Sequence, residues 1–173
     1  MDIGGGSTEF IIANADTIFW KKSFLLGAAR LLEFIKPSDP ITESESKRLF
    51  NYFDEQLIPL LDACKKYKPV ELIGSSGAFD SIVDMMAGEY NEETLSDKKT
   101  EYDIDLIKYF PLSKKIIAST YNQRLKTKGL IEMRVDMIVI SCLFVDYILT
   151  RLDLKKLRVS TYSLKEGVLF NIT

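Results

Sequence analysis

The chain has 173 residues, 46% of them hydrophobic, enough for one ordinary core with a helical extension. Lys and Arg number 23 against 25 Asp and Glu, a net charge of −2, so neither a basic nucleic-acid face nor an acidic tail is indicated. The histidine count is zero, which excludes Ser-His-Asp and Cys-His catalysis and HExxH zinc sites; chemistry must rest on carboxylates, hydroxyls, backbone amides, Lys/Arg and a hard metal.

Met1 to Ile3, Glu9 to Ala13 and Thr17 to Lys22 read as three short strands of a meander, joined by the glycine turn and by Asn14-Ala15-Asp16. Gly27 to Ile35 reads as a short helix. A long amphipathic helix starts at Thr42, whose spacing to Glu45 is that of a capping box, and Pro59 predicts a kink or break inside it. Val70 to Ile73 is a brief buried strand running into Gly74-Ser75-Ser76-Gly77, and Phe79 to Met86 a helix. Gly88 to Tyr102 reads as a polar surface excursion, and Asp103 to Gly129 as helical, punctuated by Pro111.

Glu132 to Arg151 is apolar nearly all round, as a buried helix should be. Its apolar part, Met137 to Thr150, is interrupted by Asp146 and falls short of the ~18–20 residues of a membrane span. Lys156 to Ser160 reads as a further strand and Glu166 onward as a final helix. Cys64 and Cys142 are isolated, as small core residues in a reducing compartment would be, and no signal peptide precedes them, so the expectation is a cytoplasmic protein. The element order predicts an α/β fold with five strands in a mixed sheet. It matches one lobe of the ribonuclease-H-like, actin-like ATPase architecture, with helices on both sheet faces.

Asp2-Ile3-Gly4-Gly5-Gly6-Ser7-Thr8-Glu9-Phe10 carries the most chemistry. Its glycines let backbone amides approach an anion, Ser7 and Thr8 add hydroxyls, and Asp2 and Glu9 offer oxygen ligands to a divalent cation or a water. Phosphate with metal is the natural reading, against a bare hairpin that would need only one or two glycines. The loop is not of the Walker type, since no Gly-Lys-Ser/Thr closes it. Gly74, Ser75, Ser76 and Gly77 place amides at a helix N-terminus, suited to a phosphate or ribose, or else form a simple strand-to-helix turn. Arg30 could face a polyanion; Arg134 and Asp136 read first as a local charge pair.

Together these stretches resemble the exopolyphosphatase and guanosine pentaphosphate phosphohydrolase family (Ppx/GppA). DIGGGSTEF is similar to its second phosphate loop, SFLLGAARLLE to its Gly-x-x-Arg-Leu segment, and LIGSSGAFDS to its Gly-x-x-Gly-Thr loop. MRVDMI resembles Arg-Ala-Asp, and VSTYSLKEGVLF resembles Ser-x-x-Gly-Leu-Arg-Glu-Gly. The resemblance implies Mg2+-dependent (or Mn2+-dependent) attack of water on the end of polyphosphate or on guanosine pentaphosphate. Gly4, Gly5, Gly6, Ser7 and Thr8 would bind phosphate, and Asp2 and Glu9 would position metal or water.

It also implies that residues 1–173 are the second lobe alone. The first phosphate loop and the catalytic glutamate belong to a missing N-terminal lobe, so this chain is expected to be inactive by itself, with apolar surface that could pair two copies. Ala78, Ser141, Ser163 and Lys165 replace the family's Thr, Gly, Gly and Arg. Two other readings follow the same residues: an actin-like kinase, and a non-catalytic sensor of guanosine penta- or tetraphosphate.

Overall fold

The structure is a computed structural model that describes residues 1–91 and 99–162. Its six strands are β1 (Asp2–Ile3), β2 (Thr8–Ala13), β3 (Ile18–Phe24), β4 (Leu72–Ser75), β5 (Glu101–Ile104) and β6 (Leu157–Ser160). They form one sheet in the order β3-β2-β1-β4-β6-β5. The meander β1–β2–β3 is antiparallel, β4 runs parallel to β1 and to β6, and β5 closes the far edge antiparallel to β6.

Alternation along the strands turns Ile3, Phe10, Ile12, Leu72, Leu157 and Val159 onto one buried face. The helices build one core on that face. They are α1 (Ala28–Ile35), α2 (Glu43–Gln56), α3 (Ile58–Tyr67), α4 (Gly77–Tyr90), α5 (Leu106–Ile117), the short α6 (Tyr121–Arg124) and α7 (Ile138–Arg151). The Phe144 ring of α7 meets Phe10 of the sheet edge-on and stacks on Phe53 of α2 at 4.2 Å, so sheet, central helix and outer helix are in direct contact. The opposite sheet face keeps Ile11 and Ile73 57% and 45% exposed.

The sixth strand departs from the sequence reading, which took Gly88 to Tyr102 as an excursion and Asp103 onward as helix. Four residues with one buried side chain, Ile104, carry almost no periodic signal. Pairing makes β5 a strand, with Arg158 of β6 reaching Glu101 at 3.1 Å on one side and Glu71 beside β4 on the other.

The capping box at α2 is present: the Glu45 amide donates to Thr42 Oγ1 (3.3 Å), and the Thr42 amide to Glu45 Oε2 (2.8 Å). Pro59 breaks the long pattern as expected. Its missing N–H falls in the first turn of α3, where no helical partner is needed, and Leu57 fills the corner between α2 and α3. Pro111, by contrast, stays within α5. The helix expected from Glu132 starts at Ile138, after a single tight turn at Glu132–Arg134. The expected final helix from Glu166, like Ser163 and Lys165, lies outside the described residues.

Candidate functional site

The glycine loop is shaped by the helix beneath it. Gly4 N–H donates to Ser7 O (2.9 Å) and closes the turn between β1 and β2. Three successive glycine carbonyls then point at α1: Gly4 O accepts from the Ala28 amide (2.8 Å), Gly5 O from the Arg30 amide (3.1 Å) and Gly6 O from Arg30 Nε (3.0 Å). Helix α1 has no side-chain cap, so the loop's carbonyls satisfy its first free amides.

A trans peptide points its N–H opposite to its carbonyl. The amides of Gly5, Gly6 and Ser7 accordingly face away from α1, three donors in a row, the arrangement that makes an anion-binding concavity. Gly27 permits this approach: a Cβ there would lie 2.4 Å from the Gly5 carbonyl group and from Ser7 N. Sequence spacing proposed the loop. That α1 orients it, and that Arg30 acts on its backbone, appears only in the fold.

Asp2 and Glu9 are directly opposed across β1 and β2, so their side chains share a face. Glu9 Oε1 accepts from Ser7 Oγ (2.7 Å) and from Ser23 Oγ (2.6 Å). Ser23 was not foreseen, because only the β2–β3 register sets it against Glu9. Thr8 corrects the sequence reading. Strand alternation turns it into the core, fully buried, where its hydroxyl donates to Leu26 O (2.9 Å) and ties the meander to the start of α1.

The second loop arrives from the other side of β1. Ser75 sits beside Asp2 in the parallel β1–β4 register, and Ser76 Oγ donates to the Asp2 carboxylate. Ser76 has φ 68° and ψ −177°, a region that side chains other than glycine scarcely enter. Gly74 faces the core against the Phe79 ring, a packing position, and the amides of Gly77 and Ala78 open α4.

Arg134 does not pair with Asp136. Its Nη1 donates to Ser81 Oγ (3.2 Å), and its guanidinium lies where a Cβ on Gly77 would be 2.1 Å away. Asp136 lines a separate hollow with Arg124 and Asp39. Burial raises the Asp84 carboxyl above its usual range, nearby Asp80 adds to this, and Arg134 opposes it.

The two loops and Arg134 enclose a cavity of about 310 Å3, into which Ala78, Met137 and Ser141 also project. Its wall joins Gly4 and Gly5 of the first loop to Ser76 and Gly77 of the second. It is a concave hollow with amides, hydroxyls and one guanidinium on a largely apolar ground, chemistry suited to an anionic group.

Over its whole length, residues 1–173, the chain matches the model of the Ppx/GppA phosphatase family. The chain belongs to that family. Its structure superposes on an exopolyphosphatase from Cytophaga hutchinsonii with 42% identity and a TM-score of 0.94, covering 99% of this chain and 55% of that one. The Aquifex aeolicus Ppx/GppA phosphatase, in its type II variant, is 26% identical with a TM-score of 0.79, over 98% and 55% of the two chains. Comparison with curated proteins gives no match. The chain thus spans about half the length of these family members, and the α/β fold with its mixed sheet is theirs, with six strands where five were expected.

Among the described residues no helix is long and apolar enough to cross a membrane, and no three acidic, cysteine or histidine side chains gather as a metal cage. Asp2 and Glu9 are two oxygen donors. They fit a magnesium-type ion only in the manner in which one or two carboxylates are completed by substrate phosphates and water.

Proposed function

We propose that this chain is the phosphate-binding half of a phosphoanhydride hydrolase that releases terminal phosphate from polyphosphate or guanosine pentaphosphate. The observation that carries the reading is the convergence of the two glycine loops on Asp2, with Arg134 beside them. In this reading the amides of Gly5, Gly6 and Ser7 bind phosphoryl oxygens, and Arg134, in the hollow lined by Gly4, Gly5, Ser76 and Gly77, balances charge. Ser7 and Ser23 hold Glu9 fixed, and Ser76 holds Asp2. With both carboxylates aimed, little rearrangement is needed when substrate arrives, which suits phosphoryl transfer, where positioning and charge stabilisation dominate. A divalent cation bound by Asp2 and Glu9 would neutralise charge on the phosphates.

The attacking water needs a base from a first lobe, so the isolated chain binds and does not turn over. The test pairs calorimetric titration of tripolyphosphate in Mg2+ with an assay of released phosphate. Binding with no release supports the reading; robust metal-dependent release by this chain alone overturns the assignment of the base to another lobe. Tight ATP binding without polyphosphate binding would move the chain to the kinases. Tight guanosine pentaphosphate binding by a two-lobed protein that hydrolyses nothing would make it a sensor.

A further inference from the structure

Arg124 is the most deeply buried charged residue among the described ones, 6% exposed. Taking a guanidinium out of water is costly unless its nitrogens find partners. All three do, each on a different segment. Nε donates to Val135 O (2.9 Å), Nη1 to Ser119 O just past α5, and Nη2 meets Asp39 Oδ1 at 3.1 Å. Asp39 is itself fixed, since its two oxygens accept from the Tyr121 amide at 3.0 and 2.8 Å.

The two arms of this fork lead to the two sides of the phosphate hollow. Asp39 follows α1 after residues 36–38, and α1 is the helix that orients the first glycine loop. Val135 follows Arg134, whose guanidinium reaches Gly77 and Ser81. Between α6 and α7 the chain forms only the short turn Glu132–Arg134 and no strand, so that turn depends on supports from elsewhere. Val135 sinks its side chain into the core, and Gly129 lies so close to α4 that a Cβ on it would be 2.1 Å from Asp84 O. Arg124 Nε is the third support, and of the three it alone ties the turn to the segment after α1.

We infer that the Arg124–Asp39 pair is a positioning strut: it holds the Arg134 guanidinium at a fixed span from the amides of the first loop. It sets anion binding without touching the anion, because Arg124 and Asp39 line a different hollow from Arg134. A buried ion pair adds little stability over packed hydrocarbon, but it can fix a single arrangement. A guanidinium fork specifies three directions at once, which an ammonium does not. The span matters because donors fixed in advance stabilise charge better than donors that must first rearrange. The strut rests on the fold, and its role at the phosphate rests on the phosphohydrolase reading.

The experiment titrates tripolyphosphate in Mg2+ calorimetrically into the unaltered chain, Arg124→Lys, Arg134→Ala and the double variant. Arg124→Lys keeps the charge and loses the fork, and should weaken binding about tenfold. In the Arg134→Ala background it should weaken binding less than about twofold, since no guanidinium is left to place. An equal fold-loss in both backgrounds, or none in either, overturns the strut. Asp39→Asn keeps an oxygen for the Tyr121 amide and removes the charge; run through the same cycle, it carries the test if Arg124→Lys does not fold. A second readout needs no ligand. The Met137 amide donates to Arg134 O (3.1 Å), and its hydrogen exchange in either strut variant should quicken roughly tenfold relative to the Leu57 amide between α2 and α3. Failure of the unaltered chain to bind tripolyphosphate overturns the phosphohydrolase reading and the strut's role in it. Normal binding with an unresponsive Met137 amide overturns the strut alone.

Discussion

The two loops that meet at Asp2 are held by different means. The first, Gly4 to Ser7, is fixed by backbone: three carbonyls on α1 and one turn bond, with Gly27 keeping the helix close. The second, Gly74 to Gly77, depends on side chains: the Ser76 hydroxyl on Asp2, the strained Ser76 backbone, and Arg134 leaning on Gly77. A backbone-held loop tolerates surface change but not a new Cβ at its support. A side-chain-held loop can be retuned one residue at a time.

Gly27→Ala should do the most damage. The added carbon meets backbone atoms at 2.4 Å that cannot swing aside, so we expect a loss of about 3 kcal/mol in denaturant unfolding. Tripolyphosphate binding should go with it. A neutral Gly27→Ala would break the contrast outright.

Asp146 supplies a reference away from both loops. Burial between α5 and α7 raises its carboxyl from 3.8 to about 6, although Ser113 Oγ donates to it at 2.7 Å. A carboxyl raised in the folded state stabilises at low pH, and that contribution fades as pH rises from about 4 through 6, by about 3 kcal/mol in all. Asp146→Asn should flatten this slope in urea melts taken between pH 4 and 7. Effects on the loops are then best compared above pH 7, where Asp146 no longer titrates.

Gly77→Ala should cost less than Gly27→Ala, about 1 kcal/mol, because what it meets is the far end of a flexible arginine. Displacing that guanidinium should weaken tripolyphosphate several-fold. In a double-mutant cycle with Arg134→Ala the two losses should be well short of additive. Full additivity would show that Gly77 and Arg134 act apart.

The smallest effect separates strain from tether at Ser76. Ser76→Gly relieves about 1–2 kcal/mol of backbone strain while losing one hydrogen bond, so stability should hardly change. Ser76→Ala keeps the strain and loses the bond, and should fall by about 1 kcal/mol. If Ala and Gly behave alike, the unusual φ is not under strain.

The sequence by itself determined the pieces that short-range physics governs. Glycines flanked by Asp2 and Glu9 announced the first loop, Thr42 and Glu45 announced a helix start, and Pro59 a break, because each acts within a few residues of its own chain. Tertiary structure decided what depends on register. It turned Thr8 inward and brought Ser23 to Glu9; it drew Arg134 from its near neighbour Asp136 to Gly77, 57 positions back along the chain; and it made a strand of Glu101–Ile104 through Arg158. In each case the partner is far away in sequence, and one residue of slip in a strand would turn the side chain to the opposite face.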